Sequence, residues 1–315
     1  MTVLEAIQKS ADFLGKKNVE SPRLQAEMLL AHLLKLPRMK LYLNFERVLS
    51  PAETDALREF VKRRGRREPL QHIVGSTSFC GHEIAVNRHA LVPRPETELL
   101  AEAGWEFLIG RAGLPVGQDA QQCVPTSALD FGAGTGCIAI ALAAKCTNAK
   151  IIATDISADA LALAKENAAR NQVAERIEFF EGDGFAILSE RWGERPREPE
   201  ENTQAGSPGV SPRQFDLIVS NPPYIPSGEI ATLQPEVRDF DPRAALDGGA
   251  DGLDFYRELA AQAKPFLKPD GKIMLEFGDG QAEAVKGTFE TQKWIVEAVK
   301  EDYSQRARIL IARVQ

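Results

Sequence analysis

A chain of 315 residues, 43% hydrophobic and 26% charged, has ordinary globular composition and enough length for one large domain and a smaller one, which excludes fibrous and wholly disordered classes. Its longest apolar runs, Ile138 to Ala144 and Ile309 to Ala312, fall far short of the roughly 20 residues that a membrane-spanning helix needs. The net charge of −7 is uneven: residues 1–75 hold 14 basic and 9 acidic residues, or +5, and the remainder hold 24 and 36, or −12. That imbalance disfavours bulk nucleic-acid binding by the larger part and suggests different partners for the two parts.

Met1 to Phe13 mixes Glu5, Lys9 and Asp12 into a helical pattern and lacks the unbroken apolar segment and small-residue cleavage site of an export signal. Cys80, Cys123, Cys137 and Cys146 form no C-x-x-C pair, and the four histidines are scattered. Reduced thiols, a cytoplasmic setting and no metal are therefore expected. From Thr2 to about Arg67 apolar residues recur at helical spacing (Leu4, Ile7, Ala11, Leu14, then Leu24, Met28, Leu29, Leu33), with helix starts at Ser21-Pro22 and Ser50-Pro51. This predicts a helical domain over 1–75. Phe79 to Val86 alternates like a hairpin turning at Gly81 and His82, and a linker over 76–95 ends in the extended Pro93-Arg94-Pro95 before a helix near Thr97.

The third region, 96–315, passes a Pro/Gly/Gln-rich link at Gly113 to Pro125. It then alternates strands at Ala128–Phe131, Ile151–Asp155, Ile177–Glu181 and Phe215–Ser220 with helices from Cys137 and Ala158, which argues for a doubly wound parallel sheet. Strands at Lys272–Phe277, Trp294–Val299 and Arg308–Ala312 follow, the last two expected to pair as an antiparallel hairpin at one edge. Residues 191–213, rich in Glu, Pro, Gly, Arg and Ser, read as a mobile insertion without core residues.

Three segments carry chemistry. Asp130-Phe131-Gly132-Ala133-Gly134-Thr135-Gly136 lies between a strand and a helix, where glycines let backbone N–H groups approach a nucleoside ligand. Its G-x-G-x-G spacing departs from the dinucleotide pattern, which would want a third glycine where Cys137 stands. Asp155 ends the next strand about 20 residues on, where a carboxylate can accept from a ribose diol, with Ser157 the better cap of the following helix. Asp183 and Gly184 follow the third strand, where an adenine edge would be read. The deciding segment is Asn221-Pro222-Pro223-Tyr224, directly after the fourth strand. An amide or exocyclic nitrogen is a poor nucleophile, so its site must orient it and accept its N–H protons. The Asn221 side-chain oxygen and the Pro222 carbonyl can accept them, while Pro222 and Pro223 stiffen the loop and Tyr224 stacks on the planar group.

With Leu91-Val92-Pro93-Arg94-Pro95-Glu96-Thr97-Glu98, the run from Ala245 to Tyr256 that includes Asp247-Gly248-Gly249-Ala250-Asp251-Gly252-Leu253, and Leu275-Glu276-Phe277-Gly278 with Gln281 and Arg308, the chain resembles the HemK/PrmC family of release-factor glutamine methyltransferases over nearly its whole length. The resemblance implies a Rossmann-like class I S-adenosylmethionine-dependent methyltransferase domain, with a mostly parallel seven-stranded sheet, joined by a β-hairpin to a small N-terminal helical domain that docks the substrate. It implies that Gly132, Ala133, Gly134, Thr135, Gly136 and Asp155, with Asp183, Gly184 and Asn221, hold S-adenosylmethionine. Asn221, Pro222, Pro223 and Tyr224 then receive the glutamine of the Gly-Gly-Gln motif in class-I peptide chain release factors. The family often has a bulky residue where this chain has Gly184. A monomer is expected, and no membrane or metal. The alternative reading is a DNA or RNA amino-methyltransferase, since the tetrad suits an exocyclic base nitrogen equally well. Glu96 and Glu98 read by default as helix-start carboxylates, and Lys62-Arg63-Arg64-Gly65-Arg66-Arg67 as a solvated helix end or a contact with RNA or an acidic partner.

Overall fold

The computed structural model describes residues 1–113, 125–192 and 214–315. They form two compact units. The link at 114–124, Cys123 included, and 193–213 of the expected insertion lie outside the described residues; Arg191 and Trp192 close a helix.

The first unit comprises Met1–Thr77, Val86–Arg88 and Thr232–Asp241. Its helices are α1 (Val3–Gly15), α2 (Pro22–Leu34), α3 (Pro51–Gly65) and α4 (Leu70–Val74). Thr2 and Ser50 each close a capping box with the glutamate three residues on, Glu5 and Glu53, which satisfies two otherwise orphaned N–H groups at each helix start. Val3, Ile7, Leu14, Leu29, Leu30 and Leu41 meet in its core. The basic run at the end of α3 departs from the solvated reading. Only Lys62 and Arg66 are exposed; Arg63 forks onto Glu68 at 2.8 and 2.6 Å. Arg64, 4% exposed, and Arg67 both pair with Glu236, at 2.7 and 2.6 Å. The acidic partner is thus a residue of the same chain, distant in sequence.

Ser76–Phe79 (β1) and His82–Ala85 (β2) pair as a two-stranded ribbon. The turn is Cys80-Gly81 rather than Gly81-His82, because both central residues take positive φ, 49° and 81°, as a tight hairpin matched to strand twist requires. The Cys80 N–H donates to Glu98 at 2.9 Å, so Glu98 anchors the ribbon instead of capping its own helix.

The second unit comprises Ser78–Ala85, His89–Ala231 and Pro242–Gln315. Its helices are α5 (Pro95–Ala112), α6 (Cys137–Lys145), α7 (Ala158–Arg170), α8 (Ala186–Trp192) and, after the short α9 (Pro235–Arg238) of the first unit, α10 (Asp254–Gln262) and α11 (Ala282–Thr291). Its strands are β3 (Thr126–Phe131), β4 (Ala149–Asp155), β5 (Ile177–Glu181), β6 (Phe215–Ser220), β7 (Leu267–Glu276), β8 (Trp294–Glu301) and β9 (Ala307–Val314). They lie in the order β5-β4-β3-β6-β7-β9-β8. β5 through β7 run parallel, and β9 pairs antiparallel with β7 and β8. The expected seven-stranded sheet with its antiparallel edge is present.

The central strands are apolar on both faces, as strands covered by helices on each side must be: Leu129, Ile152, Leu217, Ile218, Ile273 and Leu275 are fully buried. Each such side chain contributes about 1.5–3 kcal/mol through removal from water. The exception in β6, Asp216, accepts from the Ser127 N–H at 2.8 Å, Arg111 at 2.9 Å and Lys268 at 2.6 Å. It ties β3, α5 and β7 together away from the sheet's carboxyl edge. The strand order reverses at β3, with β4 on one side and β6 on the other, so the loops leaving these three strands surround the crevice where α/β sheets bind ligands.

Candidate active site

The loop leaving β3 turns through Gly132 and Gly134, with φ of 76° and 54°, a conformation only glycine adopts without strain. The Gly132 and Ala133 N–H groups both donate to the Thr154 carbonyl, at 2.9 Å. A Cβ at Gly132 would meet nothing within 4 Å, so the backbone there is open on one side. The loop is held from below by Asn167 of α7, fully buried, whose Nδ2 donates to the Thr135 and Ala85 carbonyls at 3.0 Å and whose Oδ1 accepts from the Ala85 N–H at 2.7 Å.

Asp155 ends β4 beside this loop. One carboxylate oxygen accepts from the Gly134 N–H at 2.8 Å and the other from the Ser157 N–H at 2.9 Å. Ser157, as expected, caps α7 through the Ala160 N–H. A carboxylate offers about four acceptor positions, so the half-buried Asp155 retains capacity for two hydroxyl donors. Asp130, fully buried under the loop, accepts from the Ala139 N–H at the start of α6. Burial, with the Asp155 charge adding, pushes its carboxyl up to about 7. Asp183 and Gly184 follow β5 on the outer side of β4.

Asn221-Pro222-Pro223-Tyr224 leaves β6 on the other side of β3. The Asn221 Nδ2 donates to the Thr97 hydroxyl at 3.1 Å, and both side chains favour the charged form of the Glu276 carboxyl. Glu276, at the end of β7, is 3% exposed, and its Oε2 has no hydrogen-bond partner. Burial, with Glu96 adding, pushes its carboxyl up to about 7 against the opposing effects of the Thr97 and Asn221 hydrogen bonds and the Arg308 charge. Burial likewise raises the Tyr224 phenol.

The loop is braced on its far side. Gln281 accepts from the Gly278 N–H at 2.9 Å and donates to the Tyr224 carbonyl at 2.9 Å. Ile225 donates to the Leu246 carbonyl and accepts from the Gly248 N–H, each at 2.9 Å. A Cβ on Gly248 would lie 2.8 Å from the Pro223 carbonyl oxygen. The Asp-Gly-Gly and Asp-Gly-Leu segments are thus a backbone cradle for the tetrad.

Residues 5–75 match the family described as PrmC N-terminal domain, and residues 125–310 the family described as methyltransferase domain. The release factor glutamine methyltransferase of Geobacter sulfurreducens is 41% identical over 290 residues, 91% of this chain and 88% of its own; that of Chlorobaculum tepidum is 40% identical over 90% and 87%. The chain belongs to the release factor glutamine methyltransferase family. Among solved structures, the hMettl16 catalytic domain in complex with MAT2A 3'UTR hairpin 6 shares the fold, at a TM-score of 0.50 and 14% identity over 84% of this chain and 82% of that one.

For this member of the release factor glutamine methyltransferase family, the fold sets the glycine loop, Asp155 and the tetrad on three adjacent strand ends. At Gly184, the position where the resemblance leads one to expect bulk, the Glu258 carboxylate of α10 stands 2.5 Å from where a Cβ would be, so that volume is filled from another helix. Three contributors escaped sequence reasoning: Thr97, Glu276 and Asn167. Glu276 carried a signal, a carboxylate between Leu275 and Phe277 in an otherwise buried strand end. Asn167 carried none, since a polar residue within a helix reads as solvated.

Proposed function

We propose that this protein transfers a methyl group from S-adenosylmethionine to the side-chain amide nitrogen of the glutamine in the Gly-Gly-Gln motif of class-I peptide chain release factors. The observation that carries the reading is the Asn221 amide, whose nitrogen is engaged with Thr97, which leaves its oxygen as the acceptor beside the loop. S-adenosylmethionine supplies, when bound, an electrophilic methyl group on a sulfonium. Gly132, Ala133, Gly134, Thr135 and Gly136 would hold it by backbone groups, Asp155 by its ribose, and Asp183 and Gly184 at its adenine end. The bare backbone at Gly132 and the spare acceptor positions of Asp155 fit such a nucleoside.

The chain's own part is orientation. The Asn221 oxygen and the Pro222 carbonyl accept hydrogen bonds from the two amide N–H groups of the substrate glutamine, which turns its nitrogen lone pair toward the donor, Tyr224 packs on the planar amide, and one N–H proton leaves to water as the nitrogen is methylated. The N-terminal part, residues 1–75, with +5 against −12 for the rest, would dock the protein substrate. No helix among the described residues is long and apolar enough to cross a membrane, and action on a release factor places the enzyme in the cytoplasm. We infer that it works as a monomer.

The test is methyl transfer from labelled S-adenosylmethionine to purified release factor, to its Gln→Ala loop variant and to duplex DNA. Label on the glutamine-bearing factor alone is expected; label on DNA instead would give the case to a nucleic-acid amino-methyltransferase. Asp155→Ala removes the acceptors for the ribose and two backbone N–H groups. We expect S-adenosylmethionine affinity by calorimetry to fall about tenfold or more, the effect of one to two hydrogen bonds to a charged group. Unchanged affinity would remove Asp155 from the cofactor site.

A further inference from the structure

The reading above needs the Asn221 side chain in one of its two flipped orientations. An amide presents an acceptor on one side and a two-proton donor on the other, and only with the oxygen toward the substrate can it receive an N–H. Nothing in the tetrad fixes that choice, since Pro222 and Pro223 offer no N–H donor.

The choice is made from behind the loop. The Asn221 Nδ2 donates to the Thr97 hydroxyl at 3.1 Å. A hydroxyl that accepts from this nitrogen keeps its own proton for the buried Glu276, whose charged form the Thr97 and Asn221 side chains both favour. Glu276 is 3% exposed and Thr97 is 3% exposed, and they belong to β7 and α5, elements far apart in sequence. Thr97 is held by the Pro95 helix start, where its own N–H bonds back to the Arg94 carbonyl at 3.1 Å. Glu276 is held by the β7–β9 ladder, and its carbonyl is fixed by the Tyr256 hydroxyl at 2.9 Å. In its ionised form Glu276 sets the direction of the relay from the inner end: a carboxylate only accepts, so the hydroxyl points toward it, the hydroxyl oxygen accepts in turn, and the amide presents nitrogen.

We propose that Thr97 and Glu276 are positioning residues of the methyl transfer, which lock the Asn221 amide with its nitrogen inward and its oxygen toward the methyl acceptor. This rests on the proposed role of Asn221, and neither residue touches the substrate. The consequence is kinetic. Without the relay the amide spends part of its time flipped, so turnover falls while cofactor binding, made by the β3 and β4 loops, does not.

The experiment is steady-state methyl transfer to release factor by wild type, Thr97→Val, Thr97→Ser, Glu276→Gln and the Thr97→Val/Glu276→Gln double variant. Valine keeps the shape of threonine and removes the hydroxyl, and kcat is expected to fall about tenfold, the kinetic equivalent of one hydrogen bond. The KM for S-adenosylmethionine stays within about twofold, and Thr97→Ser, which restores the hydroxyl, returns kcat to within about threefold of wild type. Because both residues act through one relay, the double variant should be no slower than Thr97→Val, whereas independent contributions would multiply. Wild-type kcat in Thr97→Val, a loss confined to the cofactor KM, or multiplying effects would each overturn the proposal. If Thr97→Val gives no cooperative melt, Thr97→Ala, which also lacks the hydroxyl, carries the test, and an unchanged kcat there overturns it. The wild-type arm separates this from the broader reading: absence of turnover on release factor, with turnover on another planar nitrogen, refutes the substrate, and the variants are then compared on that acceptor.

Discussion

Asn221→Ala is expected to lower kcat/KM for methyl transfer by roughly 10²–10³-fold, the range seen when one pre-oriented hydrogen-bonding group is removed from a reacting centre. Three effects combine. The substitution deletes the acceptor that turns the substrate amide; it deletes the donor to Thr97; and it removes one of the two side chains that favour the charged form of the buried Glu276. The last raises the cost of keeping that carboxylate charged and shifts it further toward the protonated form. Little of the loss should come from unfolding, because Asn221 follows β6 and is not one of its ladder residues. A melting temperature within a few degrees of wild type, with activity on release factor down as stated, is the expected pair of results. Activity within threefold of wild type would show that another group orients the acceptor.

Gly252→Ala is expected to be the most damaging methyl group that can be added near the site. The position has φ of 76°, and a Cβ there would lie 2.3 Å from the Tyr224 carbonyl oxygen and 2.7 Å from the Gln281 Nε2. Both neighbours are bonded to each other at 2.9 Å, so the clash cannot be relieved without breaking the brace behind the tetrad. Backbone strain of about 1–3 kcal/mol adds to the lost hydrogen bond, and turnover should fall more than tenfold through displacement of Tyr224. Gly81→Ala is the control. It has φ of 81° with nothing within 4 Å of the added carbon, so it bears the conformational penalty alone. Thermal melts and initial rates of the two variants should differ clearly; equal melts and equal rates would mean that the cradle does not position the loop.

The strands of the second unit were readable because each is a short, β-branched or aromatic run bounded by turn residues. Ile177–Glu181 and Phe215–Ser220 fall where the pattern put them. The glycine loop and the tetrad were readable because their chemistry is local: the residues that define each are consecutive, and the strand before them fixes which edge of the sheet they face. What sequence could not supply is whatever depends on contact between distant segments. Glu236 and Arg64 lie far apart in the chain, and the basic run containing Arg64 looks solvated until the short segment Thr232–Asp241 is seen to belong to the first unit. Thr97 and Glu276 failed for the same reason. Each stood in a segment that resembled the family, but nothing within either segment indicates that the two side chains meet. Only the packing of α5 against β6 and β7 brings them to Asn221. The hairpin turn was displaced by one residue because Cys80 adopts positive φ, a conformation its side chain does not advertise.

The most direct test of the central claim is tandem mass spectrometry of a release factor after incubation with the enzyme and S-adenosylmethionine. A single added methyl on the side-chain nitrogen of the Gly-Gly-Gln glutamine, absent with Asn221→Ala enzyme, is the predicted result. A methyl group on any other residue, or none on the factor while a nucleic acid is labelled, would contradict it.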